Sequence, residues 1–171
     1  VDITEGISNA LLPLWVHHRK FVHRDIKPAN ILISNSGSVI VIDLGIVRET
    51  GAAGVTKTGW GYAPFSAGYA APEQIANERN AVSYKTDFFS IGVLMYRLLS
   101  GIDPFIPGDQ FGIHEVVRLT MSHHPEPLHE LVGASRGFSD FVVAAMKKDP
   151  WQRQRTPTQF IEMLNAIKKI R

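Results

Sequence analysis

Four side chains able to do chemistry lie close together near the start of the chain. Asp25, Lys27 and Asn30 fall within the run His23-Arg24-Asp25-Ile26-Lys27-Pro28-Ala29-Asn30, and Asp43 follows a short apolar stretch. A carboxylate can orient a hydroxyl and take its proton. An ammonium two residues on can balance charge developing on a transferred group. An amide oxygen and a second carboxylate are the hard donors that Mg²⁺ prefers. Phosphoryl transfer needs such a set: a base, a cation, and oxygen ligands for a metal that bridges phosphates. Taken singly, each has a blander reading. An isolated Asp commonly caps a turn, a loop lysine is normally just solvated, and Asp43-Leu44-Gly45 alone reads as a turn ending a strand.

These residues must be positioned by their neighbours. Asp2 with Glu5 three residues on resembles a capping box, and Ile3, Ile7, Leu11 and Leu14 recur at helical spacing. The pattern predicts a helix from about Ile3 to His18, kinked or broken at Pro13. Phe21-Val22 reads as a short strand entering the loop. Ile31-Leu32-Ile33, the turn Asn35-Ser36-Gly37 and Val39-Ile40-Val41-Ile42 read as a small hairpin. Asp43 to Glu73 is rich in Gly, Ala, Ser and Thr without a sustained period and is predicted as a long loop. Downstream, Phe88 to Leu99 is almost uniformly apolar, predicting a helix buried on all sides and ending at Gly101. Further helices are expected at about Ile113–Met121, Ser139–Lys147 and Pro157–Lys169, the last with Thr156 as its N-cap. The fold class is therefore mainly α with a small β-hairpin.

The totals fit one domain. Of 171 residues, 44% are hydrophobic and 20% charged, the balance of an ordinary globular domain. A net charge of +2, scattered along the chain, gives no basis for expecting nucleic acid or an anionic membrane as partner. The absence of cysteine excludes disulfides, thiolate zinc sites and thiol catalysis, and it suits a cytoplasmic setting. No apolar run approaches the ~20 residues of a membrane span. The adjacent pairs His17-His18 and His123-His124 point about 100° apart on a helix, a poor geometry for chelation. Gly51 to Gly61 is glycine-rich but fits neither G-x-x-x-x-G-K-[ST] nor G-x-G-x-x-G.

The octapeptide at 23–30 matches the protein-kinase catalytic-loop pattern H-R-D-L-x-x-x-N, with Ile26 in place of Leu. The chain thus resembles the eukaryotic-type serine/threonine protein kinases, Lys27-Pro28 being the serine/threonine form of the loop. Asp43-Leu44-Gly45 stands where the family has Asp-Phe-Gly. Ser66-Ala67-Gly68-Tyr69-Ala70-Ala71-Pro72-Glu73 resembles G-T-x-x-Y-x-A-P-E, with Phe65 and Ser66 replacing Gly and Thr. Thr86-Asp87-Phe88-Phe89-Ser90-Ile91-Gly92, Gly101 with Pro104-Phe105, and Asp149-Pro150-Trp151-Gln152-Arg153 extend the likeness over essentially the whole chain.

The resemblance implies a protein-kinase-like C-lobe over residues 1–171, α+β once an N-lobe is included, with the catalytic loop at 23–30 and the activation segment at 43–73. It makes Asp25 the base and Lys27 the group that steadies the transferred phosphoryl. Asn30 and Asp43 become Mg²⁺ ligands, and Leu32 the floor against the adenine of ATP. Arg24 would bind a phosphate added to the activation loop, at Thr58 or next at Thr56, while Ser66 would bridge Asp25 and Lys27. His23 and Asp87 would brace the loop, and Glu73 would pair with Arg153. The family's Gly-rich phosphate loop, strand lysine and partner Glu helix have no counterpart in these residues. The chain, which starts at Val1, is accordingly expected to belong to a longer protein. Alone it is expected to be feeble or inactive, with protein substrate and the N-lobe as its partners. A non-catalytic scaffold of pseudokinase type is the alternative. A small-molecule phosphotransferase is disfavoured by Lys27-Pro28, the Ala-Pro-Glu segment and Arg153.

Overall fold

The apolar run after Ser83 builds the helix around which the rest is packed. The computed structural model describes residues 3–43, 48–49, 68–106, 108 and 112–168. Its helices are α1 (Ile3–Val16), α2 (Pro72–Ile75), α3 (Tyr84–Ser100), α4 (Ile113–Ser122), α5 (Leu128–Leu131), α6 (Arg136–Ala145) and α7 (Pro157–Lys168). The strands are β1 (Phe21–Val22), β2 (Ile31–Ile33), β3 (Val39–Val41) and β4 (Arg48–Glu49), with single 3₁₀ turns at Pro28–Asn30 and Pro150–Gln152. The mainly α class with a small hairpin is what is observed. β2 and β3 pair antiparallel in the register Ile31↔Val41, Leu32↔Ile40, Ile33↔Val39.

α3 starts one turn earlier than its apolar run, because Ser83 caps it: the Ser83 hydroxyl accepts from Lys85 N, and Ser83 N donates to Thr86 Oγ1. It ends at Gly101, whose φ of 73° allows its N–H to turn back to Arg97 O. Lys85 to Tyr96 are all buried, yet Leu98 and Leu99 are 53% and 48% exposed. The expectation of burial on all sides therefore fails over the last turn. At Gly92 a Cβ would lie 2.9 Å from Ala145 Cβ and Met146 Cγ, so the glycine is what lets α6 sit against α3.

Aromatic rings lock α1, α3, α6 and α7 together. Trp15 meets Phe88 edge-on at 5.2 Å, Phe88 stacks on Phe160 at 4.2 Å, and Phe141 lies 4.9 Å from Phe160. All four are essentially inaccessible. Removing one such ring to Ala costs about 3–5 kcal/mol.

Of the kink or break expected at Pro13, a break does not occur: α1 runs on through it and stops at Val16 rather than His18. Pro13 sits on the exposed side near the helix end, and the carbonyl it frees belongs to exposed Asn9, where water can replace the lost bond. α1 lies across β3 at Gly6, where a Cβ would overlap Val39. α4, α6 and α7 occupy the expected stretches, with α6 beginning earlier, at Arg136, because Ser135 accepts from Phe138 N. Thr156 caps α7 through Gln159 N. Arg48–Glu49, inside the stretch read as loop, is a strand paired with β1. The one-turn helices α2 and α5 were not expected. Among the described residues no helix is long and apolar enough to cross a membrane.

Candidate active site

The loop from β1 to β2 carries Asp25, Lys27 and Asn30, and its backbone is held before its side chains are. Arg24 has φ 72° and Asp43 φ 64°, the left-handed region that residues with a Cβ avoid. Such conformations cost of order 1–3 kcal/mol each and persist only where surroundings dictate them. Asp87, in the first turn of α3, is that surrounding for Arg24. Its carboxylate accepts His23 N (2.9 Å) and Trp15 Nε1 (2.8 Å) on Oδ2, and Arg24 N (2.9 Å) on Oδ1. Burial pushes the Asp87 carboxyl above the usual range, and the donors from Arg24, Trp15 and His23 pull it back. Asp87 lies in the first turn and is not the N-cap of the helix, which is Ser83.

His23 is fully buried and ties the loop to the end of the hairpin. Its Nδ1 accepts Asp25 N at 3.3 Å, which fixes the tautomer so that Nε2 carries the hydrogen and donates to Ile42 O at 3.2 Å. Ile42 N donates to Asn30 O at 2.9 Å. The residue before Asp43 is thus clamped by both ends of the catalytic loop.

Asp25, Lys27 and Asn30 form one hydrogen-bonded cluster. Lys27 Nζ lies 2.7 Å from Asp25 Oδ2, and Asn30 Nδ2 donates to the same oxygen at 2.9 Å and to Asp25 O at 2.8 Å. The Asp25 and Lys27 side chains keep 12% and 23% of their surface exposed, so the cluster is open on one side. Asn30 turns its NH₂ inward, which leaves the amide oxygen as the end it can present to a cation. Asp43 is exposed at the end of β3. An amide oxygen and a carboxylate suit Mg²⁺, which takes few protein ligands and completes its shell with water and phosphate oxygens. Among the described residues no group of three or more His, Cys, Asp or Glu gathers into a metal cage. Leu32 is 49% exposed and pairs cross-strand with Ile40 at 48%, so the two share one apolar face of the hairpin.

Glu73 and Arg153 meet in a bidentate pair at 2.7 and 2.8 Å, both essentially inaccessible. Thr86 Oγ1 also donates to Glu73 Oε1, and Arg153 donates to Lys85 O, Lys147 O and Lys148 O. Thr56, Thr58 and Ser66 lie outside the described residues, as do Leu44 and Gly45.

Two residues at the site escaped the sequence reading. Trp15 carried a signal, because a Trp on a buried helical face needs an acceptor for its indole N–H. Gln74, which donates to Arg24 O at 2.9 Å, carried none.

The protein kinase domain model matches residues 2–164. A probable serine/threonine-protein kinase of Clostridium perfringens is 32% identical over 173 residues, spanning 99% of this chain and 24% of the relative. Serine/threonine-protein kinases PknJ and PknL of Mycobacterium tuberculosis are 34% and 38% identical, over 85% and 80% of this chain. The matches span 25% and 33% of those two relatives, so the chain corresponds to a third or less of each protein compared. With the family model spanning nearly its full length, the chain belongs to the protein kinase family, on its eukaryotic-type serine/threonine branch.

Proposed function

We propose that the protein carrying these residues is a serine/threonine protein kinase that moves the γ-phosphoryl group of ATP to a Ser or Thr hydroxyl of a protein substrate. The observation that supports this most is the joining of Asp25, Lys27 and Asn30 in one partly open cluster, with Asp43 at the end of the clamped hairpin. Asp25 orients the acceptor hydroxyl and takes its proton as the oxygen bonds to phosphorus and the bond to the ADP oxygen breaks. Lys27 holds a positive charge beside the moving group. Asn30 and Asp43 hold Mg²⁺, which when bound neutralises charge on the phosphates. Leu32 supplies apolar surface for the adenine.

Activity in this reading is controlled from the activation segment, by phosphate on Thr58 or Thr56 engaging Arg24, with Ser66 bridging Asp25 and Lys27. Residues 1–171 act as the large C-terminal lobe. An N-terminal lobe bearing a Gly-rich loop and a strand lysine would cover the hairpin face of Leu32 and Ile40. Without it the 171 residues are expected to transfer phosphate feebly or not at all. A cytoplasmic setting, with its supply of ATP, completes the reading.

The test is incubation of the whole protein with γ-labelled ATP, Mg²⁺ and a casein-like acceptor. Label is expected on protein serine or threonine, lost with chelator and in Asp43→Ala. Label only on small alcohols or sugars, or none at all, would overturn the reading.

A further inference from the structure

Arg24, at φ 72°, is held on both sides of its Cα. Its N–H donates to Asp87 Oδ1. Its carbonyl, in the next peptide, accepts Gln74 Nε2 at 2.9 Å across fifty positions of sequence. Gln74 Oε1 meanwhile accepts Ala71 N at 3.1 Å. That pair of bonds fixes the amide orientation: a flipped amide would set NH₂ against the Ala71 N–H and its oxygen against the Arg24 carbonyl. Gln74 stands directly after Pro72-Glu73, where the activation segment ends, and Glu73 is itself pinned by Arg153 and Thr86.

We propose that Gln74 is a positioning residue that couples the end of the activation segment to the catalytic loop, by fixing the peptide that carries the Asp25 N–H. The carbonyl of Arg24 and the N–H of Asp25 share one peptide plane. A φ of 72° at Arg24 is costly and persists only where the surroundings hold the backbone on both sides of the residue. Holding the carbonyl therefore aims the Asp25 N–H at His23 Nδ1, 3.3 Å away, and sets the direction from which the Asp25 side chain leaves the backbone. The movement of residues near Ala71 and Gln74 is transmitted to the base by one hydrogen bond. This role in catalysis rests on the reading of Asp25 as the base.

Three variants separate the parts of the bond. Gln74→Met keeps length and removes both polar ends, Gln74→Glu keeps only an acceptor, and Gln74→Lys keeps only a donor. Gln74 is only partly buried, so all three should fold. The first readout is hydrogen exchange at the Asp25 amide in the full chain. Exchange should quicken about three- to tenfold in the Met and Glu variants, as expected for one neutral hydrogen bond, and stay near wild type in the Lys variant. The second is kinetics in the whole protein, where kcat should fall in the same order with KM for ATP little changed. Wild-type exchange at Asp25 in Gln74→Met and Gln74→Glu, or equal effects in all three variants, would overturn the coupling. If the wild type transfers no phosphate, the kinase reading fails while the exchange result still decides the coupling.

Discussion

Two sets of charges in this chain are built on opposite terms. Around α3, Asp87 accepts three N–H groups, and Glu73 and Arg153 face each other with side chains 1% and 0% exposed. In the loop, Asp25 and Lys27 touch at 2.7 Å yet keep 12% and 23% exposure, and Asp43 stands exposed at the end of its strand. The first set is saturated by partners within the fold, and the second is not. Buried charges whose bonds are filled cannot take part in a reaction, but they can hold a backbone at φ 72°. Open charges can react, but add little to stability. The contrast suits a structural role for the first set and the chemical role proposed above for the second.

The largest effect expected from breaking the contrast is in the saturated set. Arg153→Met leaves Glu73 charged and unpaired in the interior and should lower the unfolding free energy by about 3–5 kcal/mol, measured by denaturant titration. Asp87→Asn strips the acceptor charge from three N–H donors, and about 2–4 kcal/mol should go with it, together with faster exchange at the His23 and Arg24 amides. Trp15→Phe removes only the indole donor while keeping a ring against Phe88 and Phe160, so a smaller loss of about 1–3 kcal/mol is expected. In the open set, Lys27→Met should change unfolding free energy by no more than about 1 kcal/mol. A loss as large as that of Arg153→Met would erase the distinction.

How much of this could be read from the sequence follows the same division. The loop 23–30, Asp43, Glu73, Asp87 and Arg153 were legible because each sits in a motif of fixed residue types. The hairpin and the helices α3, α4, α6 and α7 were legible because apolar periodicity, turn residues and capping residues are local signals. Where the reading fell short, the deciding factor was solvent exposure or a partner distant in sequence. Pro13 does not break α1, because its freed carbonyl lies on an exposed turn. Arg48–Glu49 is a strand only because β1 is there to pair with it. Leu98 and Leu99 are apolar and exposed, which composition alone could not reveal. Gln74 acts through a partner fifty positions away, and nothing in its neighbourhood hints at that.

The smallest effect concerns a buried amine outside both sets. Lys148 Nζ lies 4.0 Å from the centre of the Phe105 ring, without a hydrogen-bond partner among the described residues. Burial, with the nearby Arg153 charge, lowers its pKa to about 8. Between about pH 8 and the ordinary lysine value near 10.4, the unfolded chain holds a proton that the folded chain has released. Stability should therefore rise with pH across that window and be flat below it as far as this group is concerned. Unfolding measured at several pH values should show a slope in the wild type that is reduced in Lys148→Met.

The most direct test of the division is phosphoryl transfer by Asp25→Asn in the whole protein, referred to the folded fraction. A transfer rate about a hundred- to ten-thousandfold lower, with the unfolding midpoint nearly unmoved, is the predicted result. Transfer at the wild-type rate in the folded variant would contradict the account.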